Sequence, residues 1–178
     1  MRNGGADEVA FWLYSSGSTG MPKGTKHLHT SPAETCRLYA KPVLGISEDD
    51  VFFSAAKLFF AYGLGNGMSF PLSVGATAVL WPERPSPDAM FQQLRQHCPT
   101  LFFGVPTLFA GMLAHDQTMG GETETGGRLR ACVSAGEALP EEVGKAWEKR
   151  FGVEILDGIG STEMLHIFLS NRPGAVRY

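Results

Sequence analysis

The sequence predicts an α/β fold, a mostly parallel β-sheet flanked by helices, and three observations carry that prediction. Short apolar runs, among them VFFSAA (51–56), TLFFGV (100–105) and LRACVS (129–134), alternate with longer amphipathic stretches, the pattern of strand–helix–strand units around a parallel sheet. The composition, 43% hydrophobic and 19% charged over 178 residues, is that of one domain large enough to bury a core. Three expected strands also run into polar loops, SSGSTG (15–20), SAGE (134–137) and DGIGSTE (157–163). Ligands of parallel sheets gather at the carboxyl ends of strands, so these loops are expected to converge on one site.

The elements follow in order. FWLY (11–14) reads as a strand that ends in the glycine-rich loop. Ser31-Pro32-Ala33-Glu34 carries a helix-start signature, with Ser31 as cap, Pro32 in the first turn and Glu34 at the capping-box position. That helix should stop before Pro42, which has no N–H to donate. VFFSAA is the second strand, and 64–75 is a helix broken at Pro71. TAVLW (77–81) is the third strand, and Ser86-Pro87-Asp88 opens a helix running to about Cys98. TLFFGV is the fourth strand, PTLFAGMLAH (106–115) a helix and MGGETETGGR (119–128) an exposed loop. After the fifth strand, LRACVS, Pro140 opens a helix through Lys149, with Gly152 just past its end. VEILDG (153–158) is the sixth strand, and STEMLHIFLS (161–170) begins a short helix. The aromatic pairs at 52–53, 59–60 and 102–103 read as core.

Several function classes are disfavoured. A net charge of −3 offers no basic field to nucleic acid or acidic lipid. No run approaches the ~18 apolar residues of a membrane span, and MRNGGADEVAF has no apolar core of a signal peptide. Cys36, Cys98 and Cys132 show neither a disulfide framework nor zinc spacing, so a reducing cytoplasm is the simplest compartment. His27 and His29 would share one face of a strand, but no third metal ligand accompanies them. Lys57 stands in an apolar stretch without an assignable role.

The loop YSSGSTGMPKGT (14–25) is the richest signal. Glycines let a backbone approach an anion, hydroxyls add donors and Lys23 adds positive charge, as a phosphate cradle requires. Composition alone also fits a flexible linker. The Walker spacing is absent, and Pro22 precedes the lysine.

The order of these residues resembles the phosphate-binding signature of the adenylate-forming enzymes, the superfamily of acyl-CoA synthetases, luciferases and peptide-synthetase adenylation domains. That motif runs as two hydroxyl residues, Gly-Ser/Thr-Thr-Gly, one variable residue and Pro-Lys-Gly. Ser15 to Gly24 match it throughout. Gly158-Ile159-Gly160-Ser161-Thr162-Glu163 resembles a second signature of the superfamily, and Ser134-Ala135-Gly136-Glu137-Ala138-Leu139 resembles the segment that flanks adenine. Within the superfamily, AKLFFAYGLGN (56–66) and DGIGSTEMLHIFLSN (157–171) look like the benzoate-CoA ligases and their aryl-CoA relatives.

The resemblance implies ATP-dependent activation of an aryl carboxylate to an acyl-adenylate, then a coenzyme A thioester, with Mg²⁺ on the phosphates. It implies that Ser16, Gly17, Ser18, Thr19, Gly20 and Lys23 hold the β- and γ-phosphates. Thr162 would meet the α-phosphate, and Glu163 would bind Mg²⁺. Gly136, Glu137, Asp157, Gly158 and Ile159 would line adenine. Ala61, Tyr62, Gly63, Ser134, Ala135, Ile159 and His166 would form the acyl pocket. Each has a plainer reading: Glu163 as a first-turn acid, His166 as a buried histidine bonded to backbone, Tyr62 as core. Two other readings of the whole remain, an adenylating enzyme for a non-aryl acid and a non-catalytic nucleotide-binding remnant. The family's enzymes are several times longer, and their ribose-binding aspartate, hinge and late lysine have no counterpart here. Residues 1–178 therefore read as the central portion of a larger domain.

Overall fold

Two sheets organise the chain in this computed structural model, which describes residues 5–16, 20–121 and 123–178. Strands β1 (Val9–Ser16) and β2 (Pro22–Leu28) form an antiparallel hairpin of their own. In β1 the half-buried residues Phe11, Leu13 and Ser15 alternate with exposed ones, the two-residue period of a strand with one covered face. FWLY is thus a strand, but it lies outside the main sheet. The second arm falls on PKGTKHL, where the glycine and proline of the loop masked the strand pattern. His27 is buried in β2 against Phe11 at 5.2 Å, whereas His29 lies past the strand end and is exposed. The pair therefore shares no strand face.

The main sheet contains β3 (Val51–Ser54), β4 (Thr77–Val79), β5 (Leu101–Gly104), β6 (Ala131–Ala135), β7 (Ile155–Gly160) and β8 (Ile167–Ser170). Their spatial order is β4-β3-β5-β6-β7-β8, all parallel except β8, which runs antiparallel to β7. Five helices cover the faces: α1 (31–44), α2 (61–72), α3 (Pro87–His97), α4 (Pro106–Thr118) and α5 (Glu141–Phe151). On one face Tyr39 and Leu44 of α1 and Phe70 of α2 pack on Phe52, Phe103, Val133 and Leu156. On the other, Phe91 of α3, Phe109 of α4 and Trp147 of α5 pack on Phe53, Phe102, Cys132 and Ile155. The pairs at 52–53 and 102–103 send one ring to each face, as strand alternation requires. Leu58, Phe59 and Phe60 are exposed instead, on the connection before α2.

Both prolines expected to end helices lie inside them. In α1 the Lys41 N–H reaches back five residues to the Cys36 carbonyl, and in α2 the Phe70 N–H reaches back five to the Gly65 carbonyl. Each is a π-turn placed just before a proline, Pro42 or Pro71. A proline inside an α-helix clashes with the carbonyl four residues back and leaves it without a donor. The widened turn shifts the ladder and carries the helix through. Helix α1 then ends at Gly45 in the left-handed region, φ 57°.

The start of α1 also differs from expectation. Thr30 holds the N-cap position without a side-chain bond, while the Ser31 hydroxyl accepts from Leu28 N–H at 3.1 Å and Glu34 pairs with Arg37 at 2.6 Å on the surface. Residues 161–170 form a turn and strand β8 rather than a helix, because Ile167 and Leu169 pair with β7. The other caps follow the sequence. Ser86 accepts from Ala89 N–H at 3.3 Å, and Gly152 ends α5 at φ 70°.

Two ion pairs, each joining a buried carboxylate to a partly exposed arginine, brace the layers. Arg130 donates to Asp50 at 2.9 and 2.8 Å and to the Leu44 carbonyl at 2.8 Å, tying the end of α1 to the residues that lead into β3 and β6. The Thr100 hydroxyl donates to the same carboxylate at 2.6 Å. Arg150 of α5 donates to Asp116 of α4 at 2.7 Å and to the Thr123 carbonyl at 2.7 Å. That bridge buries Thr123 within a loop otherwise expected, and largely found, at the surface.

Candidate functional site

The carboxyl ends of β3, β5, β6 and β7 open into a pocket of about 530 Å³, where ligands of parallel sheets bind. Its walls include Phe60, Ala61 and Tyr62 at the start of α2, Val105 and Leu108 beyond β5, and Ala135 and Gly136 beyond β6. Gly160, Ser161, Thr162, His166 and Ile167 close it from the β7–β8 connection.

Two amphipathic rings dominate the wall, and both turn their polar atoms into the fold. The Tyr62 hydroxyl lies 3.0 Å from the Val133 carbonyl and 3.3 Å from that of Gly104. Burial also holds its pKa far above the ordinary tyrosine range. His166, 2% exposed, sits 2.9 Å by Nε2 from Asn66 Oδ1 of α2. Its ring packs on Tyr39 (5.3 Å), Tyr62 (5.5 Å) and Phe70 (4.5 Å). Burial lowers its pKa to about 3, so the imidazole is neutral at physiological pH. With Asn66 Oδ1 as acceptor, the ring proton resides on Nε2. The rings therefore offer the pocket carbon rather than donors.

Lys57 now has a place. Its ammonium donates to the Trp81 carbonyl at 2.6 Å and to that of Glu83, pinning the connection after β4 against the turn before α2. Lys57 and Pro85 both line the pocket. Nothing in the local sequence pointed to this bond, which joins residues more than twenty positions apart.

Of the expected acyl residues, Ala61, Tyr62, Ala135 and His166 line the pocket. Gly63, Ser134 and Ile159 do not. Gly63 is buried behind the wall, where a Cβ would meet the Lys57 carbonyl oxygen at 2.0 Å. Ser134 is 0% exposed within β6. Ile159 is 58% exposed and stands on the same face of β7 as Asp157, as two-residue alternation dictates.

Among the expected nucleotide residues, Thr162 and Gly136 reach the pocket, and Gly136 has φ 98°, which leaves its main chain open to close approach. Glu137 is exposed beside it. The half-buried Asp157 carboxylate accepts from Leu139 N–H at 3.2 Å, anchoring the 134–139 segment to β7. Burial raises its pKa against the pull of that bond. Gly158 is buried, and a Cβ there would meet Ile167 at 2.8 Å.

Ser16 closes β1 opposite Pro22, Lys23 is exposed on β2, and Gly20 has φ 83°. Gly17, Ser18 and Thr19 lie outside the described residues. The hairpin approaches the GSTE segment nonetheless. The exposed Glu163 carboxyl is held below its usual range by its own N–H, then the Ser161 and Ser15 hydroxyls and the Lys23 charge. Glu163 faces the hairpin side, in a second cavity shared with His27, while Thr162 faces the pocket. Among the described residues no helix is long and apolar enough to cross a membrane.

Known proteins resemble this chain in sequence and in fold. The family described as "AMP-binding enzyme" matches residues 2–177. The chain is 68% identical over 173 residues to the benzoate–CoA ligase of Thauera aromatica, which covers 97% of this chain and 32% of that protein. It is 58% identical to the 4-hydroxybenzoate–CoA/benzoate–CoA ligase of Rhodopseudomonas palustris, with the same two shares of 97% and 32%. The chain thus spans about a third of the length of the curated relatives it matches. The crystal structure of a benzoate CoA ligase from Burkholderia xenovorans LB400 superposes with a TM-score of 0.87 at 58% identity, covering 99% of this chain and 35% of that one. That of the anthranilate CoA ligase AuaEII in complex with anthranoyl-AMP superposes at 0.90 with 42% identity, covering 97% of this chain and 33% of that one.

Proposed function

The chain belongs to the AMP-binding enzymes, and from that premise we propose that it serves the ATP-dependent activation of benzoate, or a close aryl carboxylate, to its CoA thioester. It would act in the cytoplasm, and residues 1–178 would form the central portion of an adenylation domain of an acid–thiol ligase. The observation that carries the reading is the pocket, where the Tyr62 hydroxyl and His166 Nε2 are bonded within the fold while Ser161 and Thr162 stand at its rim. A flat apolar ring fits such walls, with its carboxylate at the hydroxyl end.

The chemistry needs little from the protein beyond alignment. An aryl carboxylate is already ionised at neutral pH, so its oxygen attacks the α-phosphorus of ATP without a base, and the bond from that phosphorus to the bridging oxygen breaks, its electron pair leaving with pyrophosphate. The CoA thiolate then attacks the acyl carbon, and AMP leaves. The residues have to bring the reactants together and offset phosphate charge. In this reading Ser16, Gly17, Ser18, Thr19, Gly20 and Lys23 hold the β- and γ-phosphates, and Thr162 meets the α-phosphate. Gly136, Glu137 and 157–159 lie along adenine. Ala61, Tyr62, Ala135 and His166 enclose the ring, with Gly63 and Ser134 supporting that wall from behind. Glu163, exposed and kept ionised, fits Mg²⁺, which binds through one or two carboxylates together with substrate phosphates. Bound there, the ion would neutralise negative charge on the phosphates.

Isothermal titration of the 178-residue chain with benzoate, the monohydroxybenzoates and a long-chain fatty acid, each with Mg-ATP, tests the reading. Benzoate should bind tightest, about tenfold ahead of the hydroxybenzoates, since a ring hydroxyl would be buried without a partner. Preference for the fatty acid, or no aryl acid binding at all, would sink it. Benzoate-dependent ATP–pyrophosphate exchange is the matching activity measurement.

A further inference from the structure

We propose that Gly65 and Asn66 of α2 are positioning residues that set where the His166 ring stands, and through it which aryl rings the pocket admits. The inference rests on the aryl-acid reading of that pocket and concerns its selectivity.

The π-turn of α2 spans Gly65–Ser69, and such turns recur where a helix must present a side chain at an unusual angle. Here it presents Asn66, itself 0% exposed, to His166 at 2.9 Å. The two polar atoms left over, Asn66 Nδ2 and His166 Nδ1, are both buried without partners. The 2.9 Å bond is the contact that joins the two side chains directly, and Tyr62 is the polar neighbour beside both. Gly65 supplies the second constraint. A Cβ there would meet His166 Cδ2 at 2.4 Å and Nε2 at 2.8 Å. The imidazole thus lies directly on the helix backbone. Tyr39, Phe70 and Tyr62 pack around the ring, so the free direction left to a displaced imidazole is the pocket it lines.

The two residues act in opposite senses. Loss of the Asn66 acceptor frees the Nε2 proton, and the ring can then turn to serve a substrate hydroxyl. A methyl at 65 drives the ring into the space where substrate would sit. Neither effect resembles plain loss of stability, which would weaken all ligands in proportion.

The test uses the 178-residue chain labelled with ¹⁵N-histidine and titrated with benzoate and the three monohydroxybenzoates. In the wild type the ring nitrogens should report a neutral imidazole protonated at Nε2. Asn66→Ala should abolish that fixed tautomer and shift the benzoate-to-hydroxybenzoate affinity ratio at least fivefold toward the hydroxylated acids, the scale of one buried hydrogen bond. Asn66→Asp, which keeps an acceptor, should retain the tautomer and more of the ratio. Gly65→Ala should weaken benzoate about tenfold or more and the hydroxybenzoates further, with Mg-ATP affinity unchanged. A chain that binds benzoate while both alanine variants leave the ratio and the ring signals unchanged overturns the inference alone. A wild type that binds none of the acids overturns the aryl-acid reading, and this inference with it. Equal weakening of every ligand, Mg-ATP included, would mark a structural role only and overturn the positioning role.

Discussion

Helices α1 and α2 cover the same face of the sheet and pass a proline by the same device, yet they do different work. In α1 the π-turn Cys36–Ala40 sends Tyr39 and Ala40 into the core, and its end is tied by Arg130 to Asp50. In α2 the π-turn carries Gly65 and Asn66 against His166 at the pocket wall. The wide turn itself confers no function. What separates the two is the residue it offers and what that residue faces. The ties that hold each helix also differ in chemistry, a charged clamp for α1 and a neutral imidazole for α2.

That difference should be separable by pH. His166 has a folded pKa of about 3, below its unfolded value near 6.5. Its contribution is full above pH 6.5 and is lost as pH falls toward 3, at roughly 1.4 kcal/mol per unit. The Asp50 carboxyl is also depressed, burial opposing but the bonds from Arg130, Thr100 and Ser47 prevailing. Its contribution is present above the unfolded value near 4 and is lost only below that. Urea unfolding at stepped pH should show stability declining already from about 6.5, and His166→Gln should remove the decline between about 6.5 and 4.5 while leaving the steeper loss below about 4. An unchanged slope in the variant would break the contrast.

Asp50→Ala attacks the α1 side. It leaves Arg130 without its carboxylate and the Ser47 N–H without its acceptor, and takes from Thr100 the shorter of its two bonds, so it should cost about 2–4 kcal/mol by denaturant unfolding. Ligand selectivity should survive. Tyr62→Phe attacks the α2 side more gently, since it removes the hydroxyl from the Val133 and Gly104 carbonyls. The cost should be about 1–2 kcal/mol, with the ring wall and benzoate binding largely retained. Lys57→Met keeps the stem but drops the ammonium that holds the Trp81 and Glu83 carbonyls. It should cost about 1 kcal/mol, shift the Trp81 emission and relax discrimination against larger ring substituents. The smallest effect is the sharpest comparison. Pro42→Ala and Pro71→Ala should each change stability by less than about 1 kcal/mol. Only the second should alter aryl-acid affinities, read by the same titrations, because only its helix touches the pocket.

Much of the architecture was legible because parallel sheets buried on both faces read as uninterrupted apolar runs. VFFS, LFFG and ACVSA are such runs, and all became strands. The glycine and serine cues at Gly152 and Ser86 worked because capping is local. The misses have two causes. Pro42 and Pro71 were read as stops because a π-turn that carries a helix past a proline leaves no mark in composition, and the others arose where a partner distant in sequence decided the outcome. PKGTKHL was missed because its strand exists only by pairing with β1. Residues 161–170 looked helical until β7 supplied the ladder for β8.

The candidate site divides the same way. The glycine, hydroxyl and carboxylate residues were visible as motifs, and Ala61, Tyr62, Ala135 and His166, named together by the resemblance, line one cavity. Gly63, Ser134 and Ile159 came from the same resemblance, and here Gly63 and Ser134 are buried while Ile159 is exposed, all three outside the lining of this cavity. Lys57 was noticed but given no role, and Asn66 was not singled out, because their partners lie 24 and 100 positions away. A useful signal was the spacing of Asn66 one helical turn past Tyr62, which puts both on one side of α2.

The π-turn in α2 also bears on how the segment tolerates changes in length. A π-turn is one residue more than an α-helix needs, so deleting a residue within Gly65–Ser69 would let the ladder close as an ordinary helix. It would also turn the start of α2 by roughly 100° relative to its end. Phe70 is anchored in the core, so the turn would fall on Ala61 and Tyr62, swinging them off the pocket while the helix stayed intact. Insertions and deletions should be accepted in the exposed part of the 119–128 loop, away from the bonds of Gly121 and Thr123 to Arg150, and rejected here, although both stretches are rich in glycine.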